Sequence, residues 1–205
     1  MSFITIESSK LSTQEAYKLI CGAVVPRPIA WISTVNTKGL VNLAPFSSFN
    51  YVAHSPPMLA VNIGSRSGSL KDTASNIVQT KEFVVNVATV DNFEIMHETS
   101  AEYPPNISEA DALGLVLIPS SIVAPPRIKV SPIHMECRLE KVISLGKGLN
   151  TLYIGEVVAF HLDSDIFDGV YIDSVKMKPI ARLGGPFYAE LGKIHKMEVL
   201  QQPPA

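Results

Sequence analysis

The chain's first periodic signal is helical. Ala16, Leu19 and Ile20 form an apolar stripe over residues 12–21, and Ser12 and Glu15 stand in the S-x-x-E spacing of a capping box. Pro26 and Pro28 bar any continuation of that helix. The period then shortens. Ile29–Val35 is rich in β-branched and aromatic residues and predicts a strand, Asn36–Gly39 a turn, and residues 41–50 a returning strand. Residues 58–63 and 83–88 predict further strands, with a helix over about 70–80 between them whose Ser69 and Asp72 have capping-box spacing. Short helices are expected over 92–99 and 108–113, the second capped by Ser108 and ended by Gly114. Two long extended segments, 133–145 and 151–162, are joined by Gly146, Lys147 and Gly148. In the first, Met135, Cys137 and Leu139 alternate with Glu136, Arg138 and Glu140. The tail from Lys196 onward reads as frayed or packed on a partner.

Strands in succession, with helices inserted rather than alternating, predict a mainly β chain: a barrel with a few peripheral helices. With no repeat or linker, residues 1–205 read as one domain. No Gly-x-Gly-x-x-Gly follows a strand and no phosphate-binding P-loop occurs, so a bound nucleotide must use other contacts. Hydrophobic residues make up 46% and charged residues 18%, which predicts that much of the surface is buried against a second subunit. A net charge of −2 gives no reason to expect a nucleic-acid partner. The start, MSFITIESSK, lacks the basic and apolar regions of a secretory signal, and no apolar run approaches a membrane span. Cys21 and Cys137 are far apart, and the five histidines show no His-x-x-x-His spacing. Reduced thiols, no metal site and a cytoplasmic protein are the expectation.

Three stretches carry candidate chemistry. In Asn42–Asn50, Ala44 and Pro45 interrupt a strand pattern, because proline removes a ladder donor and forces a bulge or an end. The backbone so released, with Ser47 and Ser48, offers amides and hydroxyls to a flat heteroaromatic ring. In Gly64–Thr73, Arg66 and Lys71 stand among Ser65, Ser67, Ser69 and Thr73 just before a helix, a composition suited to a phosphate monoester. A solvated loop that merely caps the helix is the competing reading. In Lys178–Tyr188, Gly184 and Gly185 let backbone approach a neighbour, bracketed by Arg182 and Tyr188, though a tight turn with a packed tyrosine has the same pattern.

Together these stretches resemble the flavin reductase-like, FMN-binding split-barrel family, in its flavoredoxin-like branch. The resemblance runs from about Ile20 to Ala189 through PRPIAWIST, NLAPFSSFN, SRSGSLKDTASNI, FVVN, SAEYPP, SPIHMEC and PIARLGGPFYA, in that order. It implies a Greek-key split β-barrel and a homodimer with FMN near the subunit interface. On that resemblance Asn42, Ala44, Pro45, Phe46, Ser47 and Ser48 would line the ring and ribityl chain. Ser65, Arg66, Lys71, Asp72 and Thr73 would surround the phosphate, and Arg182, Gly184 and Tyr188 would approach the ring, from the same chain or from the partner chain. Arg27, held extended between Pro26 and Pro28, joins Arg182 as a candidate cation near the ring. The implied activity is an oxidoreductase in which NAD(P)H reduces the flavin and a flavin or small molecule accepts the electrons. A flavoredoxin-like carrier reduced by a redox protein, and a flavin-binding module without turnover, stay open. The flavin would carry the chemistry, so no catalytic side chain is assigned.

Overall fold

The computed structural model describes residues 1–65, 68–147 and 150–198. Its helices are α1 (Thr13–Ala23), α2 (Asp72–Thr80), α3 (Phe93–Glu98), α4 (Glu109–Ala112) and α5 (Ser174–Met177). The strands begin with β1 (Ala30–Val35), β2 (Val41–Phe46), β3 (Phe49–His54), β4 (Pro57–Gly64) and β5 (Glu82–Val87). They continue with β6 (Leu117–Ile118), β7 (Arg127–Ile128), β8 (Ile133–Leu145), β9 (Asn150–Leu162), β10 (Ala181–Arg182) and β11 (Tyr188–Ala189). Seven of them form one antiparallel sheet in the order β2-β1-β5-β8-β9-β4-β3, a split β-barrel with helices at its margin, while β6–β7 and β10–β11 make two small ribbons. No described helix is long and apolar enough to cross a membrane.

Helix α1 starts as its capping box dictates: the Ser12 side chain accepts from the Glu15 N–H, and the Glu15 carboxylate accepts from the Ser12 N–H. Gly39 takes φ +83° in the β1–β2 turn, where a side chain would be strained. The strand expected over 41–50 is two strands. β2 has a neighbour on one side only, which tolerates Pro45 opposite Trp31, and the chain then crosses at Ser47 and Ser48 to the far end of the sheet. There the Asn62 N–H donates to the Ser48 carbonyl at 2.8 Å. The capping expected at Ser69 does not form. α2 begins at Asp72 with Lys71 as its cap residue, so Ser69 sits one turn position too early to reach the first amides. Ser108 does cap α4, and Gly114 follows that helix at φ +64°. Gly148 and the tail from Val199 lie outside the described residues.

β1 is buried on both faces, with Trp31 and Ile32 each fully enclosed, and this is why its sequence runs apolar instead of alternating. Inside the barrel Ile32, Val61, Ile77, Phe83, Val85, Cys137 and Tyr153 form one core. Gly155 serves it, since a Cβ there would lie 2.5 Å from the Phe83 ring. On the other face Trp31, Leu43, Met96, Ile128 and Ile180 form a second core under the chain after β5. The alternation expected on β8 holds for Met135, Cys137 and Leu139, which pack on the first core. Glu136, however, is fully buried instead of solvated. The segment after β6 covers it, and the carboxylate accepts from the N–H groups of Ser121, Ile122 and Val123 at 2.6, 2.7 and 3.0 Å and from His161 Nε2 at 2.6 Å. Beside it His134 donates through Nδ1 to the Asn86 side-chain oxygen, which also accepts from the Ile128 N–H.

Candidate functional site

The break in the sheet after β2 opens the site. Pro45 and Phe46 end that strand and form a wall shared by two cavities, one on each side. The smaller, about 140 Å³, lies between β2 and the start of α2 and is lined by Asn42, Ala44, Lys71, Asp72, Thr73, Tyr103 and Glu109 among others. Its polar groups are preset. Asn42 Nδ2 donates to Thr73 Oγ1 at 2.8 Å, and the Glu109 carboxylate accepts from the Leu43 N–H at 2.8 Å. Burial pushes the Glu109 pKa up against that hydrogen bond. The Lys71 ammonium stands 5.9 Å over the Phe46 ring.

The larger cavity, about 250 Å³, lies beyond the same wall, between α1, α3 and the β10–β11 ribbon. Its apolar lining includes Ile29, Pro45, Phe46 and Met96, and its polar lining Ser47, Ser100, Arg27, His97, Arg182 and Tyr188. Arg27 is tied down by carbonyls: Nη1 donates to Cys21 and Val24 at the end of α1, and Nη2 to Leu183. Its backbone also exchanges two hydrogen bonds with Arg182. Arg182 Nη1 donates to the Tyr188 hydroxyl at 2.5 Å and Nη2 to the Gly185 carbonyl at 2.7 Å, its guanidinium 4.6 Å above the Tyr188 ring. His97 Nδ1 lies 2.8 Å from the same hydroxyl. The neighbouring Cys21 thiol raises the Tyr17 pKa by charge and hydrogen bond, with burial adding and both arginines opposing.

Most residues singled out in the sequence therefore meet here. Asn42, Ala44, Asp72, Thr73 and Lys71 line one cavity, Ser47, Arg27, Arg182 and Tyr188 the other, and Pro45 and Phe46 both. Gly184 packs elsewhere: a Cβ on it would lie 3.2 Å from Cα of Gly22, so the close approach expected of this glycine is to α1. Ser48 and Ser65 line neither cavity, and Arg66 is outside the described residues. His97 and Tyr17 were not singled out, since each enters alone from a helix without a motif around it, and Ser100 opens the SAEYPP stretch of the resemblance, which assigned it no role.

The flavin reductase like domain matches residues 22–178. This chain belongs to the flavin reductase-like family. The match takes in both sides of the Pro45–Phe46 wall but stops short of Arg182 and Tyr188. Among relatives, the uncharacterized protein YwrF of Bacillus subtilis (strain 168) is 40% identical over 193 residues, 91% of this chain and 94% of its own. Nitrilotriacetate monooxygenase component B from Bacillus cereus has a similar structure, with TM-score 0.93 and 35% identity over 96% of this chain and 100% of that one. The 2-nitrobenzoate 2-nitroreductase NbaA of Pseudomonas fluorescens gives a TM-score of 0.90 and 34% identity, covering 98% of this chain and 99% of that one.

Proposed function

We propose that this flavin reductase-like protein binds FMN along the two cavities, phosphate toward Lys71 and Thr73 and ring toward Arg182 and Tyr188, and works as an NAD(P)H-dependent oxidoreductase. The observation that carries the reading is the shared Pro45–Phe46 wall, with Lys71 and Thr73 in the cavity on one side of it and Arg182 and Tyr188 in the larger cavity on the other. The cavities, of about 250 and 140 Å³, together reach the range of cofactor sites, roughly 300–1,000 Å³. Bound FMN supplies the redox chemistry, accepting a hydride from a nicotinamide nucleotide and passing electrons on. The residues supply position and charge. The Lys71 ammonium and the first amides of α2 suit a phosphate, Phe46 and Met96 offer apolar contact to a ring, and Arg182 places a fixed cation beside it. Two copies of the chain form the working unit in this reading. Tyr17, Ile20 and Phe187, on elements that line or flank the ring-side cavity, are 66%, 62% and 66% exposed and give a second subunit an apolar surface to cover.

The test starts with purified protein mixed with FMN, FAD or riboflavin and desalted. Flavin absorbance should stay with the protein for FMN and be released on denaturation, and sedimentation should give about twice 22.2 kDa. NADH or NADPH should then bleach the bound flavin. Absence of FMN binding at micromolar concentration overturns the assignment. Bleaching by a reduced redox protein but by neither nucleotide would make the chain an electron carrier.

A further inference from the structure

Resting on the flavin reading above, we propose that the ring-side cavity also receives, against the bound flavin ring, a small, largely apolar organic acid and holds it by its carboxylate. The first observation is charge. Arg27 and Arg182 line this cavity, and among the described residues no aspartate or glutamate does. Among the described residues neither guanidinium has a carboxylate partner; every acceptor they meet is a backbone carbonyl or the Tyr188 hydroxyl. Carbonyls satisfy N–H groups but neutralise no charge. A partly buried cation without a counterion favours an incoming anion.

The second observation is the direction of the hydrogen bonds. Arginine only donates, so the Tyr188 oxygen is the acceptor of the 2.5 Å bond from Arg182. The Tyr188 O–H is then free to donate to His97 Nδ1, 2.8 Å away. In the tautomer where Nδ1 accepts, the imidazole proton sits on Nε2. Arg182, joined by His97 in that tautomer, presents N–H donors, which suit an oxyanion. Ile29, Pro45, Phe46 and Met96 complete the lining with carbon, which suits an apolar body behind the carboxylate. Oxidised flavin is neutral, so in that state the ring supplies no counterion to either arginine. The phosphate has its own cation, Lys71, on the other side of the Pro45–Phe46 wall.

The experiment titrates oxidised, FMN-loaded protein with benzoate, with benzamide as the neutral isostere and with ADP-ribose as a non-reducing stand-in for nucleotide phosphates. Flavin absorbance changes report binding, and calorimetry on flavin-free protein provides a second readout. Benzoate should bind at least tenfold more tightly than benzamide. Arg182→Gln should weaken benzoate about tenfold to a hundredfold, the range for a hydrogen bond to a charged group, and leave benzamide unchanged. Arg182→Lys should recover part of that loss, and His97→Ala should show a smaller one. Circular dichroism establishes that each variant is folded. Equal affinity for benzoate and benzamide, or benzoate binding indifferent to both sites, overturns the proposal. So does ADP-ribose binding that depends on Arg182 while benzoate binding does not. Flavin absorbance of the same samples reports on the underlying reading: protein that holds no FMN yet binds benzoate through Arg182 keeps the acid site and loses the flavin assignment.

Discussion

Lys71 caps no helix through its side chain, yet it stands where α2 begins, over the Phe46 ring and beside Thr73. If its ammonium faces the FMN phosphate, Lys71→Ala should weaken FMN by about tenfold to a hundredfold, the loss of one charge-assisted contact. Riboflavin, which has no phosphate, should bind the variant almost as well as the parent. Equal weakening of both ligands, measured by fluorescence titration, would place Lys71 at the ring or in the fold instead. Residues of this kind were legible because they are contiguous: Asn42–Ser47 and Lys71–Thr73 each enter the site from one short stretch. Arg27 was legible as a position but not as a set of bonds, since the carbonyls it meets belong to α1 and to Leu183, 156 residues away. His97 was not legible at all. One histidine on a six-residue helix has no pattern around it, and its role rests on a tyrosine 91 residues later.

At the scale of elements, local signals translated into structure wherever the deciding bonds were local. The capping box set the start of α1, Gly39 set the β1–β2 turn, and the strands fell close to their expected bounds. Where a distant strand decided, the reading stopped. Nothing in residues 41–50 says that β2 and β3 lie at opposite ends of the sheet, and nothing on β8 says that Glu136 will be covered. That covering makes Glu136 the fastening of the segment between β6 and β7. Burial pushes its pKa up, but the Ser121 N–H, His161 and the other two amides outweigh burial and hold it below the usual carboxylate range. Glu136→Gln loses the charge and one acceptor oxygen while keeping the shape. It should destabilise the fold by about 1–3 kcal/mol, and amide exchange should quicken at Ser121, Ile122 and Val123 before it does in the sheet. Unchanged exchange at those amides would mean that other contacts hold the segment.

For the whole molecule, buried His134 leads the response to acid. Burial, aided by the charge of Arg127, lowers the His134 pKa from 6.5 to about 4. The unfolded chain therefore takes up a proton near pH 6.5 that the folded chain refuses until about pH 4. Stability is full above pH 6.5 and falls as pH drops to about 4, by about 3 kcal/mol over that window. Glu136, with its folded pKa depressed, adds a loss at lower pH, as its carboxylate is protonated. Denaturant midpoints at pH 7, 5.5 and 4.5 should fall in that order, and the slope above pH 4.5 should flatten in His134→Gln; an equal slope in the variant would assign the loss to other groups. The wall of Pro45 and Phe46 has a different consequence, one of statistics more than of contacts. Because one short segment borders both cavities, a ligand caught at either end holds its other end at a high effective concentration over the second cavity. If FMN is that ligand, as proposed, its two ends need not be tight on their own: riboflavin and inorganic phosphate can each exchange freely while the molecule that links them dwells. The length of that link becomes a selection rule, and a flavin whose phosphate sits on a shorter or longer side chain forfeits the advantage even though every contact it needs is present.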